Sequence, residues 1–181
     1  MSVTLITGPA RSGKSEWAEQ LALQTERPVV YVATSQVDPS DRDWQHRLAQ
    51  HRARRPPSWQ TLEVSHDLAA AIRQAAADQC LLVDSLGTWL ANQLELDSAS
   101  WQQTQAQLLA AIVQSPAALI LVGEETGWGI VPAYRTGRLF RDRLGALVRA
   151  VGTVADAFYL VTGGYALNLK QLGTGIPKSS S

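Results

Sequence analysis

Val3-Thr4-Leu5-Ile6-Thr7-Gly8-Pro9-Ala10-Arg11-Ser12-Gly13-Lys14-Ser15 is the stretch that decides the fold. Its first five residues form a short apolar run, and Gly8 to Ser15 completes a G-x-x-x-x-G-K-[ST] pattern. In a chain of this length and composition that pattern arises by chance roughly 0.2% of the time, so an incidental glycine turn is the weaker reading. Closely spaced glycines let successive backbone N–H groups converge on phosphate oxygens, and a following helix adds the partial positive charge of its N-terminus. A helical run, Ser15-Glu16-Trp17-Ala18-Glu19-Gln20-Leu21, stands where that helix belongs. The pattern predicts a nucleoside triphosphate site. Gly8, Pro9, Ala10, Arg11, Ser12 and Gly13 form its cradle, Lys14 reaches the β- and γ-phosphates, and the Ser15 hydroxyl ligates Mg²⁺.

Similar short runs recur at Val29-Val30-Tyr31-Val32-Ala33, Cys80-Leu81-Leu82-Val83, Leu119-Ile120-Leu121-Val122 and Phe158-Tyr159-Leu160-Val161. They are nearly continuous rather than alternating, as strands covered on both faces read. Helical spacing fills the intervals at about 13–25, 41–55, 66–78, 86–96, 100–114 and 135–155. Strands alternating with helices predict an α/β fold of P-loop NTPase type, with a mainly parallel central sheet and helices on both faces. Asn168-Leu169-Lys170 is expected to add an edge strand. Residues 1–172 read as one domain, and Gly173 to Ser181 reads as a disordered tail.

Composition narrows the function classes. The chain has 181 residues, 45% of them hydrophobic, with 16 basic and 16 acidic residues. That neutrality argues against a dedicated nucleic-acid binder. One cysteine, Cys80, excludes an intramolecular disulfide framework and fits a reducing cytoplasm. No run of apolar residues is long enough to span a membrane, and the polar turn after Thr7 argues against a signal peptide. Thirteen of the basic residues are Arg, and ten of these fall at positions 42–55 and 135–149. Arginine's planar fork suits phosphate and carboxylate, although composition alone favours ordinary solvated helix faces.

Three further places are candidates for chemistry. A Mg²⁺ site needs a carboxylate at the end of a neighbouring strand, and Asp84 directly follows Cys80-Leu81-Leu82-Val83. Asp84 could instead cap the helix from Leu86, a task Ser85 would perform as well. Gly123-Glu124-Glu125-Thr126-Gly127-Trp128-Gly129-Ile130-Val131-Pro132 follows the fourth strand and reads either as an active-site loop or as an ordinary surface turn. In the segment from Asp41, helical spacing puts Arg47, His51 and Arg55 on one side. Flanking guanidiniums favour a neutral imidazole, which leaves a lone pair free to act as a nucleophile. Pattern alone favours an ordinary surface or satisfied core histidine, and His46 and His66 have no comparable setting.

Five blocks together resemble a known family: Gly8 to Ser15; Tyr31-Val32-Ala33-Thr34-Ser35; Arg47-Leu48 through His51-Arg52-Ala53-Arg54-Arg55-Pro56 to Trp59 and Glu63; Gly127 to Pro132; and Arg135 through Arg138 to Phe140-Arg141-Asp142. The chain is similar to the bifunctional adenosylcobinamide kinase / adenosylcobinamide-phosphate guanylyltransferase family of cobalamin biosynthesis. The resemblance implies phosphorylation of the aminopropanol hydroxyl of adenosylcobinamide by ATP or GTP. It further implies transfer of GMP from GTP, through a guanylylated histidine, to adenosylcobinamide phosphate. The family's histidine falls on His51, and its nucleotide contacts fall on Thr34, Ser35, Arg52, Glu63 and Asp84 besides the phosphate loop. A homo-oligomer, often a trimer in the family, is likewise implied, with no nucleic acid and no membrane span. One departure stands out: relatives carry Asn-Glu-Val where this chain has Glu124-Glu125-Thr126, so a charge replaces an amide at Glu124. A generic small-molecule P-loop kinase, or a non-catalytic nucleotide-binding module, would share Lys14, Ser15 and Asp84 without forming a covalent nucleotide adduct.

Overall fold

The computed structural model describes residues 2–36 and 55–176. In chain order the elements are strand β1 (Val3–Gly8), helix α1 (Lys14–Gln24), β2 (Val29–Ala33), β3 (Gln60–Glu63), α2 (Leu68–Arg73), β4 (Cys80–Asp84), α3 (Leu86–Ala91), α4 (Ser98–Gln114), β5 (Ala118–Glu124), α5 (Arg135–Val154), β6 (Ala157–Thr162), β7 (Tyr165–Asn168) and α6 (Leu169–Leu172). The seven strands form one sheet in the order β3-β2-β4-β5-β1-β6-β7. All neighbours are parallel except β6 and β7. The mainly parallel α/β architecture expected from the strand runs is the one observed.

Continuous apolar strands follow from burial on both faces. Leu5, Val30, Val32, Leu81, Val83, Leu119 and Leu121 point to the side covered by α2, α3, α4 and α5, where Trp89, Leu108, Leu144 and Val151 meet them. Their alternates Ile6, Tyr31, Cys80, Leu82, Ile120 and Val122 point to the other side, against Ala18 and Ala22 of α1. The predicted stripe on α5 is buried at Leu144, Leu147, Val148 and Val151. Helices α2 and α3 are shorter than the helical spacing predicted, ending at Arg73 and Ala91.

Two strands also differ from the sequence expectation. Strand β3 carries no apolar run, because this edge strand exposes all four residues. Residues 168–170 are not the final strand. Gly163 and Gly164, at φ 59° and 82°, make the tight turn that sends Tyr165–Asn168 back antiparallel to β6. Asn168 then caps α6, its side chain accepting from the N–H groups of Lys170 and Gln171. Residues 177–181 of the expected tail lie outside the described residues.

Arg143 ties α5 to the chain after α3. It is buried, its guanidinium donates to the carbonyls of Leu94 at 3.2 Å and Leu96 at 2.7 Å, and it lies 5.3 Å from the Trp101 ring centroid. Arg143→Ala leaves those carbonyls without their donor, so denaturant midpoints should show a loss of about 2–3 kcal/mol, partly recovered in Arg143→Lys.

Candidate functional site

Every predicted nucleotide-site residue in the described regions, apart from those of the phosphate loop's helix, stands where a strand meets the carboxyl rim of the sheet. That rim is where open α/β sheets carry their ligands. β1 ends at Gly8, where a Cβ would run into the Val161 carbonyl and the Ser12 side chain. The chain then turns, with Ser12 N–H donating to the Pro9 carbonyl at 3.3 Å, and passes through left-handed backbone at Arg11 and Gly13 (φ 59° and 91°). Gly13 is the N-cap of α1 and supplies no side-chain cap, so the first N–H groups of the helix keep their capacity to bind an anion. Lys14 and Ser15 open that helix, with Lys14 Nζ resting 3.4 Å from the Pro9 carbonyl.

β4 delivers Asp84 in register with Ala33 of β2, which in turn faces Glu63 of β3. Asp84 and Glu63 are therefore two strand spacings apart, roughly 10 Å. Asp84 is not the helix cap. Ser85 caps α3 in a capping box with Thr88. The Asp84 carboxylate is held from the side by Tyr31, whose hydroxyl donates to Oδ2 at 2.9 Å. Burial, followed by the charge of Asp84, pushes the Tyr31 hydroxyl well above its ordinary pKa, so it acts as a donor. Over the face of the Tyr31 ring lies the Arg55 guanidinium, 3.3 Å from the centroid. Arg55 and Glu63 also line a pocket of about 360 Å³ with Pro56, Pro57, Trp59 and Thr61.

Thr34 is fully buried, and its hydroxyl bridges the turn after Asp84, donating to the Ser85 carbonyl at 2.7 Å and accepting from Ser85 N–H at 2.8 Å. Its contribution to the rim is thus to hold that turn. Ser35, half-buried, continues the rim from there. The Thr34 carbonyl accepts from Asn92 of the segment after α3 at 2.8 Å, which locks the same corner from the far side.

The loop after β5 divides into two parts. Glu124 turns inward: its carboxylate accepts from the Ser85 hydroxyl and from Gly87 N–H, the latter at 2.9 Å. A Cβ on Gly87 would occupy the same place as that carboxylate. Burial pushes the Glu124 carboxyl above its ordinary range, against the opposing pull of the Ser85 hydroxyl and of Lys14. Burial raises Glu125 as well, and its N–H donates to the Gly8 carbonyl at 3.0 Å, tying this loop to the phosphate loop. From Thr126 the chain is exposed, with Trp128, Ile130, Val131 and Tyr134 all open to solvent. Pro132 packs against Gly137 of α5, and Arg138 donates to the carbonyls of Pro132 and Ala133.

His51 and Arg52 lie outside the described residues, as do His46 and Arg47. Among the described residues no group of three His, Cys, Asp or Glu side chains could enclose a metal. The two residues predicted to hold the cation, Asp84 and Ser15, offer a carboxylate and a hydroxyl. Such an all-oxygen set fits Mg²⁺, which keeps waters and phosphate oxygens for its remaining positions.

Two contributors were missed by sequence reasoning. Tyr31 read as a core residue, although a buried tyrosine hydroxyl needs a partner and the nearest strand ends in Asp84. Glu124 read as a loop carboxylate because the Gly87 cleft that receives it is made by another segment 37 residues away.

With this geometry in place, similarity to known proteins is informative. The family described as CobU, cobinamide kinase / cobinamide phosphate guanyltransferase, matches residues 4–169. The chain belongs to this family. A bifunctional adenosylcobalamin biosynthesis protein CobP from Pseudomonas aeruginosa is 40% identical over 168 residues, covering 92% of this chain and 96% of the relative. The corresponding CobU of Salmonella typhimurium is 34% identical over 181 residues, covering 92% and 98%. A solved structure from Pyrococcus horikoshii OT3 covers 100% of this chain and 95% of its own at TM-score 0.59 and 8% identity, a likeness of fold alone. Family membership accords with the arrangement of phosphate loop and strand-end carboxylate on one rim.

The Glu124 environment predicts a pH dependence of stability. Its folded pKa is raised above the ordinary 4.5, so folding takes up a proton between that value and the raised one, and stability falls as pH rises through the window. Glu124→Gln should flatten this slope in denaturant titrations run from pH 4.5 upward. A slope unchanged in the variant would show that Glu124 is ionised in both states.

Proposed function

We propose that the chain phosphorylates the aminopropanol hydroxyl of adenosylcobinamide with ATP or GTP and then transfers GMP from GTP to the product, giving adenosylcobinamide-GDP. The observation that carries this reading is a phosphate loop and a strand-end carboxylate on the same rim of the sheet in a chain of the cobinamide kinase / guanyltransferase family. Residues 1–172 act as one catalytic domain in this reading.

Both reactions are displacements at phosphorus, so the protein's work is positioning and neutralising charge. In the first, the substrate hydroxyl attacks the γ-phosphorus, the bond to the β,γ-bridging oxygen breaks, and a nucleoside diphosphate leaves. The backbone from Gly8 to Gly13 cradles the phosphates and Lys14 stabilises the oxygen that leaves. Ser15 and Asp84 would hold Mg²⁺, which neutralises phosphate charge when bound. In the second, a nitrogen of His51 attacks the α-phosphorus of GTP and pyrophosphate leaves. A phosphate oxygen of adenosylcobinamide phosphate then displaces His51 from the guanylyl group. Arg52, Glu63, Thr34 and Ser35 complete the nucleotide's surroundings, with Thr34 acting through the Ser85 turn.

A homo-oligomer fits this reading, supported by the exposed apolar side chains from Trp128 to Tyr134, among which Ile130 is 96% exposed. Cytoplasmic placement is proposed with it, supported by the single cysteine. No helix among the described residues is long and apolar enough to cross a membrane.

Incubation with adenosylcobinamide and GTP, followed by separation of corrinoid products, tests the proposal. Two successive products are expected; a phosphorylated product alone would indicate a simple kinase, and no product a nucleotide-binding module. His51→Asn should lose acid-labile labelling from α-labelled GTP while retaining phosphorylation, and persistent labelling would remove His51 as nucleophile. Lys14→Ala should slow the kinase step about 10²- to 10³-fold at saturating nucleotide.

A further inference from the structure

Tyr31 lies in the middle of β2, 3% exposed, on the sheet face covered by α1. For packing alone a phenylalanine would serve, and burying a hydroxyl is costly unless it finds a partner. Its partner is Asp84 Oδ2 at 2.9 Å. The sheet register explains the meeting. Tyr31 faces Leu82 directly, so Asp84, two residues further along β4, is its diagonal neighbour on the same face. Diagonal neighbours are about 7–8 Å apart at the backbone, within the reach of a tyrosine. Directly opposite Asp84 stands Ala33, too small to fill the space the hydroxyl enters.

Arg55 completes the arrangement from the other side. Its guanidinium carbon lies 3.3 Å from the Tyr31 ring centroid, and Nη1 donates to Thr61 Oγ1 of β3 at 3.4 Å. Arg55 Nε is buried without a hydrogen-bond partner among the described residues, so the ring face is a principal contact of this cation. A cation is attracted to the face of a phenol ring, and its positive charge there makes the hydroxyl a more acidic and so a stronger donor.

We propose that Tyr31 is a positioning residue which orients the Asp84 carboxylate for a divalent cation, and that Arg55 reinforces that hold through the ring. The proposal rests on the reading of Asp84 as the cation's carboxylate. In this role Tyr31 acts through Asp84 Oδ2. A carboxylate fixed by an outer hydrogen bond meets its cation without first being ordered, and loss of such a partner commonly costs 10- to 100-fold in metal affinity.

The test uses the full chain, with Mn²⁺ as the probe, followed by electron paramagnetic resonance in the presence of a non-hydrolysable GTP analogue. Tyr31→Phe keeps the ring and the stacked guanidinium and removes only the hydroxyl. It should weaken Mn²⁺ about tenfold while leaving analogue affinity in EDTA and the melting temperature near those of the parent protein. Arg55→Gln should weaken Mn²⁺ about threefold, and that effect should disappear in the Tyr31→Phe background, the signature of coupling through the ring. Asp84→Asn separates the two readings. If it lowers Mn²⁺ affinity while Tyr31→Phe does not, the positioning role falls and the Asp84 reading stands. If Asp84→Asn binds Mn²⁺ like the parent, the Asp84 reading itself falls. Equal losses of analogue affinity in EDTA and of melting temperature in Tyr31→Phe would make the tyrosine a packing residue and overturn the proposal.

Discussion

Burial of both faces of the central strands β1, β2, β4 and β5 is the constraint on which the rest of the molecule depends. A parallel strand covered on both sides offers no surface to a ligand along its length, so polar groups emerge only where strands end. Gly8, Asp84, Glu124 and Glu63 are the last residues of β1, β4, β5 and β3. Parallel pairing brings these ends to one rim, and the register makes Gly8 the neighbour of Glu124 and Ala33 the neighbour of both Asp84 and Glu63. The same packing that excludes water from Leu5 and Leu81 thus concentrates the phosphate loop and the carboxylates.

The rim is organised by short polar side chains that spend their hydrogen bonds on the turn after Asp84. Ser85 caps α3, Thr34 grips the Ser85 backbone, and Glu124 closes the corner from β5. Each of these groups is buried or nearly so, where an unpaired polar atom would be costly and a satisfied network is stiff. Stiffness at this turn matters because Asp84 precedes it directly. Tyr31 of β2, with Arg55 stacked on its ring, holds the same carboxylate from the neighbouring strand.

Charge takes a different meaning once the arginines are located. A net charge of zero hides two arginine-rich stretches. In the second, Arg138 and Arg143 direct their guanidiniums at backbone carbonyls, closing the loop before α5 and the chain after α3. Those two arginines hold backbone segments in place. In the first, Arg55 is stacked on a tyrosine beside an aspartate. Guanidinium geometry serves carbonyls and aromatic faces as readily as phosphates, which is why clustering in sequence does not reveal their tasks.

Local pattern was sufficient for the parts of this protein that rest on local physics. The G-x-x-x-x-G-K-[ST] spacing, the covered central strands and the middle of the apolar stripe of α5 are each dictated by neighbours a few residues apart and stand in the structure as their patterns imply, whereas Phe158–Leu160 of β6 are only half-buried and Leu139 of α5 is exposed. Strand β3 was not legible, because an edge strand with all four residues exposed has no burial to record in its composition. The final strand was displaced by three residues because the Gly163-Gly164 turn and the Asn168 cap, not apolar content, set its limits. Tertiary structure alone decided that Asp84 meets Tyr31 across 53 residues and that Glu124 enters the cleft at Gly87 across 37. Those contacts depend on which strands lie side by side and in what register. The long-range burial of the central strands sets both, and no window of sequence contains that information.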